Sequence, residues 1–135
     1  MADAFKFELV SPERLLLSEQ VTEVVIPAAL GEMTVLAKHA PTMTTIRPGV
    51  VSVKLASGQD NKYVVFGGFA DILPTSCTIL AESALPLSDV TRETLQSRID
   101  AARHEADSAT DHEHKTKLEH YLAELANLHG AIIPA

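Results

Sequence analysis

Hydrophobic and polar residues alternate along the first two thirds of the chain, as they do in half-buried β-strands. Phe5, Phe7 and Leu9 are separated by single residues, which gives an apolar period of two. Short apolar runs follow as far as residue 84, and turn-forming residues such as Pro48-Gly49 separate them. No long helical period interrupts these runs, which argues against a parallel sheet built from strand–helix–strand units. The pattern predicts an antiparallel β-sandwich or flattened barrel of about 8–10 short strands.

The apolar spacing changes to three and four residues after Pro86, and this is the period of an α-helix. Two helical stripes are visible, and their apolar residues are Leu95, Ile99, Ala102, Ala106 and Ala109 in the first and Leu118, Tyr121, Leu122, Leu125 and Leu128 in the second. Two helices with a short connection form an antiparallel hairpin. The predicted fold class is therefore α+β, with a β-sandwich domain over residues 1–87 and a helical hairpin over residues 88–135.

Candidate capping residues mark the ends of both predicted helices. Asp89 or Thr91 can cap the start of the first helix. Thr110 and Glu113 have the spacing of a capping box, which predicts the start of the second helix. Gly130 follows the second apolar stripe and is predicted to end that helix.

The charge and composition exclude one class of partner. The chain has 135 residues, of which 46% are hydrophobic, so it can bury a core of its own. It carries 11 basic and 18 acidic residues, for a net charge of −7. Binding to a phosphate backbone needs clustered Lys and Arg residues. We therefore expect no nucleic-acid partner.

Sequence motifs of enzymes and of metal sites are not found. The chain has no GxSxG, HExxH, Walker or GxGxxG motif, so no catalytic residue is predicted. Cys77 is the only cysteine, which excludes an intramolecular disulfide and favours a small buried side chain in a strand. Five of the six histidines lie in the helical half, but His112, His114 and His120 do not share a helical face. We expect these histidines to be solvated, with no metal site.

The segment from residue 31 to residue 41 is not explained by packing alone. Val35, Leu36 and Pro41 suit a buried strand with a rigid exit. Glu32 and His39 do not, because a strand end or loop would expose both side chains.

These residues carry a family resemblance. Residues 31–41, GEMTVLAKHAP, resemble the GExGVLPxHAP signature of the epsilon subunit of F-type ATP synthases. Residues 10–13 (VSPE), 48–50 (PGV) and 67–70 (GGFA) are similar to further elements of that family, in the same order. The chain departs from the signature at Thr34, where the family commonly has Gly, and at Ala37-Lys38, where it has Pro-Gly.

The resemblance implies a non-catalytic subunit that works mechanically. In this family the β-sandwich binds the gamma subunit of the central stalk and rests on the membrane rotor ring. It helps to couple rotation of the proton-driven ring to ATP synthesis in the catalytic head. Glu32 and His39 match positions that face the ring, and we expect both to be exposed at one end of the sandwich. An alternative from another class is a stand-alone small-ligand-binding β-sandwich with a helical lid.

The resemblance also implies a regulatory role for the hairpin. In the family it can extend toward the alpha and beta subunits of the catalytic head and inhibit ATP hydrolysis, and some members bind ATP through an Ile/Leu-Asp-x-x-Arg-Ala motif. Ile99, Asp100 and Arg103 match that motif, whereas His104 replaces its Ala. Two interpretations stay open: a weak ATP site, or a packed Ile99 beside an Asp100–Arg103 surface pair. No other cofactor is expected.

The expected location follows from the resemblance and the N-terminus. The first residues lack the basic and apolar regions of a signal peptide and the Arg and Ser residues of a transit peptide. A bacterial subunit is therefore favoured, attached peripherally to the cytoplasmic face of the inner membrane as part of the complex.

Overall fold

The computed structural model describes residues 3–133, and its contacts divide the chain into one unit that ends at Ser88 and another that begins at Asp89. The sequence places this boundary between residues 87 and 88. Within the described residues the first unit contains seven strands: β1 (Phe5–Val10), β2 (Leu15–Ala28), β3 (Gly31–Val35), β4 (Thr42–Leu55), β5 (Asp60–Leu73), β6 (Ser76–Ala81) and β7 (Ala84–Pro86). A 3₁₀ turn over Leu87–Asp89 leads to the two helices, α1 (Arg92–Ser108) and α2 (His112–Ile132).

Five of the strands close into a flattened barrel. β1 pairs with both β2 and β6, and the order β6–β5–β4–β2 completes the ring. Every pair is antiparallel except β1 with β6. β3 extends the sheet beside β2, and β7 pairs with β5. The predicted α+β class with an antiparallel sandwich or barrel is confirmed.

The inward side chains follow the predicted alternation. Phe5, Phe7 and Leu9 are buried, and the intervening Lys6 is exposed. The core continues through apolar residues of the other strands, including Ile26, Val51, Ile72, Cys77 and Ile79. Burial of these side chains stabilises the barrel by about 25 cal/mol for each Å² of apolar surface removed from water.

The strands are fewer and longer than the predicted 8–10, because two glycine-containing pairs lie inside strands instead of ending them. Pro48-Gly49, predicted as a turn, lies inside the 14-residue β4. Gly67-Gly68 lies inside β5, which also has 14 residues. Both glycines of the latter pair have positive φ angles, +108° and +140°. A Cβ on Gly68 would overlap the carbonyl oxygen of Leu80, so only glycine lets β5 and β6 approach this closely.

The second unit is an antiparallel hairpin whose helices begin at polar caps. The Thr91 hydroxyl accepts a hydrogen bond from the Thr94 N–H at 3.1 Å, and the Thr94 hydroxyl accepts one from the Thr91 N–H at 2.9 Å. The prediction of Thr91 as a cap is confirmed. α1 and α2 pack against each other, and His114 of α2 lies 3.6 Å from Glu105 of α1.

The two predictions for the ends of α2 are wrong. Its N-cap is Asp111 and not Thr110, because the Asp111 carboxylate accepts the N–H of His114 at 3.2 Å. Gly130 does not stop the helix, which continues to Ile132. Ile132 lies four residues after Leu128, so the added turn extends the apolar stripe, and this offsets the roughly 1 kcal/mol cost of a helical glycine.

Candidate functional site

A row of apolar side chains crosses the outer face of the barrel over four strands. The strand register places Leu15 of β2 beside Val10 of β1, Val10 beside Leu80 of β6, and Leu80 beside Phe69 of β5. Leu15, Leu80 and Phe69 are 55%, 54% and 56% exposed, respectively, and Val10 is partly exposed. We call Leu15, Val10, Leu80 and Phe69 the apolar row.

Polar residues flank the apolar row on the same outer face. At the next outward position of each strand, two residues from the apolar row, Asp71 of β5 lies beside Thr78 of β6, and Thr78 lies beside Glu8 of β1. Contiguous exposed apolar surface with a polar rim is typical of a protein interface. The sequence analysis missed this surface, although one signal was present. Leu80 and Phe69 occupy outward positions next to the inward Ile79 and Ala70, where alternation predicts polar residues.

Glu32 lies near the turn that joins β2 to β3. It is the second residue of β3 and pairs with Pro27 of β2. Its side chain is exposed, and within residues 3–133 it makes no hydrogen bond or ion pair. Leu30, in the turn itself, is fully exposed. A cleft of about 330 Å³ lies beside the turn and is lined by Ala28, Ala29, Leu30, Gly31, Glu32, Met33 and Thr44.

His39 lies beyond the other end of β3. It belongs to the loop between β3 and β4, where the preceding Lys38 N–H donates to the Pro74 carbonyl at 2.8 Å. The half-buried imidazole donates from Nδ1 to the Ala40 carbonyl, also at 2.8 Å. Glu32 and Val35 are separated by three residue steps, or about 10 Å of strand. The structure therefore does not bring Glu32 and His39 together at one end of the sandwich, because β3 runs between them.

The three residues of the nucleotide motif have different environments. Ile99 is buried, as expected for a residue of the helix seam. Asp100 accepts a hydrogen bond from Gln96 Nε2 at 3.0 Å. Arg103 is exposed and forms no ion pair with any residue in the described range. The Asp100–Arg103 surface pair that their spacing suggests is therefore not formed.

The histidines of the hairpin are not all simply solvated. His120 Nε2 lies 2.8 Å from Glu124 Oε1, four residues later in α2. His129 is half-buried, and its Nε2 has no hydrogen-bond partner among the residues that the structure describes. Between residues 3 and 133 no group of three His, Cys, Asp or Glu side chains is arranged to hold a metal ion.

Cys77 occupies the interior of the barrel, as its place in a predicted strand indicates. Its side chain is completely buried in β6. Burial, aided by the negative charge of Asp71, raises the pKa of the thiol from 9.0 to about 12. The thiol is therefore neutral at physiological pH, which suits a packing residue and not a nucleophile.

Neither helix of the described chain is long and apolar enough to cross a membrane.

Comparison with known proteins agrees with the geometry. Residues 4–87 match the family described as ATP synthase, Delta/Epsilon chain, beta-sandwich domain. The chain is 68% identical over 136 residues to the ATP synthase epsilon chain of Agrobacterium fabrum, with all of both chains covered. It is 67% identical over 132 residues to that of Rhizobium johnstonii, with 98% of each chain covered.

Solved structures show the same fold. A chain in the cryo-EM structure of the Euglena gracilis mitochondrial ATP synthase, which contains OSCP, F1 and the c-ring, superposes with a TM-score of 0.74 at 27% identity. That match covers 96% of this chain and 81% of the other. A chain from the central stalk and c-ring of the Tetrahymena thermophila mitochondrial ATP synthase has the same fold, with a TM-score of 0.63 at 11% identity and coverage of 93% and 96%. The full-length identity to bacterial relatives, the matched sandwich domain and the shared fold together show that this chain belongs to the family of bacterial F-type ATP synthase epsilon chains.

Proposed function

We propose that this protein is a non-catalytic subunit of the central stalk of an F-type ATP synthase. In this role it couples rotation of the proton-driven ring to ATP synthesis in the catalytic head. The observation that carries the proposal is the 68% identity to an epsilon chain over the whole length of both proteins. The alternative, a stand-alone ligand-binding sandwich, is not favoured, because these relatives and the structural neighbours belong to ATP synthases.

The apolar row is the proposed contact for the gamma subunit. Leu15, Leu80 and Phe69 are each more than half exposed, and a stable interface needs such side chains at its centre. The polar residues beside the row, such as Asp71 and Thr78, suit the rim of an interface. Burial of the row against gamma would fix the barrel to the stalk, so that the two turn together.

The β2–β3 turn is the proposed contact for the membrane rotor ring. Leu30 and Glu32 flank Gly31 in the sequence, and both side chains are exposed. Within the described chain Leu30 is fully exposed and Glu32 forms no hydrogen bond or ion pair. A carboxylate here can pair with basic loops of a partner, in an exposed contact that sets register more than affinity. The predicted ring contact of His39 stays a prediction, and it requires a partner surface that also reaches the other end of β3.

The hairpin is proposed as the regulatory part, with weak ATP binding and weak inhibition. Of the motif residues, Arg103 is the one available to grip a phosphate, since Ile99 is buried and Asp100 bonds Gln96. α2 offers Lys115 and Lys117 as its only lysines, and Lys117 lies 3.9 Å from Glu113. Few cations are therefore available for an acidic surface of the alpha and beta subunits. The proposed location is the cytoplasmic face of the bacterial inner membrane, as a peripheral part of the complex.

Co-purification tests the proposal. Affinity-tagged protein expressed in its bacterial host should isolate the ATPase subunits from detergent-solubilised membranes. A tagged protein that elutes alone, from membranes whose ATP synthase is otherwise intact, would contradict the proposal.

A further inference from the structure

One side chain joins the β2–β3 turn to the barrel. Arg47 of β4 donates from Nε to the carbonyl oxygen of Ala28, at a distance of 2.7 Å and in a partly buried position. Ala28 is the last residue of β2, directly before Ala29 and Leu30 of the turn. Within residues 3–133 Arg47 forms no ion pair, so the Ala28 carbonyl is the acceptor that orients its guanidinium. A hydrogen bond from a charged donor is stronger and shorter than one between neutral groups.

The backbone pairing of β2 with β4 is interrupted just before this bond and resumes where Ala28 pairs with Ile46. β2 and β4 change register between Val25 and Ala28. Pro27 lies inside the interrupted stretch and has no N–H to donate. Gly49 packs so closely on Pro27 that a Cβ on Gly49 would lie 2.7 Å from the Pro27 Cβ. A side-chain hydrogen bond and a glycine–proline contact therefore stand in for part of the missing ladder.

The β2–β3 pairing continues up to Ala28 and Gly31 and closes the turn, but the turn has little support from side chains. The cleft of about 330 Å³ lies between the turn and Thr44 of β4. Leu30 is fully exposed, and Gly31 has a φ angle of +136°, which glycine adopts readily, with no heavy atom within 4 Å of the place a Cβ would take. The orientation of this hairpin end relative to β4 consequently depends on how its base is held.

We propose that Arg47 is a positioning residue, which holds the β2–β3 turn in the orientation that presents Leu30 and Glu32 to the rotor ring. The ring contact itself rests on the proposed function, whereas the ordering of the turn by Arg47 is a property of the isolated chain. The two parts are therefore tested by separate measurements.

Hydrogen–deuterium exchange of the full-length protein tests the ordering. Arg47→Met keeps an unbranched side chain that reaches about as far as Nε and removes the donor. We expect exchange in a peptide covering residues 26–34 to become at least about tenfold faster, since a charged hydrogen bond commonly contributes more than the 1.4 kcal/mol that a factor of ten represents. Arg47→Lys keeps a cationic donor and should recover part of the protection. Lys54→Met, which removes a cation from the same strand away from the turn, should leave this peptide unchanged.

The reference for this measurement is a peptide from β5 and β6, because the Arg47 hydrogen bond joins β4 to β2 and does not involve these strands. If Arg47→Met also accelerates exchange in this reference peptide, the variant has loosened the whole barrel. Arg47→Lys is then the deciding variant, and the proposal requires its exchange to differ from wild type at residues 26–34 and not in the reference peptide. Unchanged exchange at residues 26–34 in Arg47→Met, with the barrel intact, would overturn the proposal.

Proton pumping by the reassembled ATP synthase tests the consequence. Arg47→Met should lower the ratio of protons pumped to ATP hydrolysed while the unfolding midpoint of the barrel stays within the range of Lys54→Met. A normal ratio in Arg47→Met, together with a lowered one in Glu32→Gln, would show that the order of the turn is not needed and would overturn the positioning role. A normal ratio in Glu32→Gln would instead contradict the proposed ring contact, whatever the exchange data show.

Discussion

Replacement of Phe69 by threonine should weaken binding to the gamma subunit far more than it weakens the fold. Phe69 is 56% exposed in the free protein. A phenylalanine side chain offers about 200 Å² of surface, so about 110 Å² remains to be buried by a partner. At 25 cal/mol for each Å², full burial contributes about 3 kcal/mol, of which the threonine methyl group would retain a small part. The expected loss is about 2–2.7 kcal/mol, or roughly a 30- to 100-fold increase in Kd.

The fold should be affected much less, because threonine is also a good strand former. The loss of the cross-strand contact between Phe69 and Leu80 is expected to cost below about 1 kcal/mol in the free energy of unfolding. Leu73→Thr is the matched control. Leu73 is 43% exposed on the same strand, but its cross-strand neighbour is Ser76 and not an apolar residue.

The assay is a calorimetric or interferometric titration of each variant into a catalytic subcomplex that contains gamma and lacks this subunit. Urea unfolding of the free variants accompanies it. Leu73→Thr should change Kd by less than about threefold, as expected for a residue outside the buried centre. Equal effects of Phe69→Thr and Leu73→Thr, or no effect of either, would refute the assignment of the apolar row to gamma.

Three further predictions concern single side chains. Glu32→Gln should weaken the affinity for the ring by up to about fivefold, the range of an exposed ion pair, and should thereby lower proton pumping per ATP hydrolysed, while Glu19→Gln at another exposed carboxylate should not; equal effects of the two variants would assign the loss to net charge and not to the position of Glu32. Because burial raises the pKa of Cys77 to about 12, the unfolded chain loses the thiol proton first. The Cys77 contribution to stability is therefore full below pH 9 and falls between pH 9 and 12 by up to about 1.4 kcal/mol per pH unit; urea unfolding should show this slope, and Cys77→Ala should lack it. Calorimetric titration of the free subunit should give a Kd for ATP no tighter than roughly millimolar, about −4 kcal/mol; a low-micromolar value that Arg103→Ala abolishes would show a stronger site.

The fold could be predicted from the sequence where local chemistry decides the structure. The alternation of Phe5, Phe7 and Leu9 reports one buried face directly, and all three are in the core. The change of period after Pro86 likewise marks the helices, since the spacing of apolar residues reflects which face is covered. The Thr91 cap depends on a contact only three residues away.

The predictions that are wrong concern residues whose structure depends on contacts beyond the local sequence. The local sequence Pro48-Gly49 predicts a turn, whereas Gly49 packs against Pro27 of another strand, and close approach of two strands leaves no local signal. Local sequence alone misplaces the end of α2, because the gain from Ile132 on the apolar stripe outweighs the local preference of Gly130 to stop a helix. Both errors come from tertiary packing that overrides local propensity.

The candidate site follows the same division. Glu32 could be singled out because a charged residue in an apolar strand is locally conspicuous. The apolar row could not, since Leu15, Leu80 and Phe69 become neighbours only through the pairing of β2, β1, β6 and β5. Arg47 gave no signal either, because its acceptor is a backbone carbonyl nineteen residues away.

The most direct test of the account is add-back of the purified full-length protein to membrane vesicles whose ATP synthase lacks this subunit. ATP-driven acidification and ATP hydrolysis are measured in the same vesicles. The account predicts that the wild-type protein restores acidification and that Phe69→Thr does so only at concentrations about 30- to 100-fold higher, as its weaker gamma binding requires. Full proton pumping in vesicles that receive no protein, or equal restoration by both proteins at every concentration, would contradict the claim that this subunit couples the ring to the catalytic head through the apolar row.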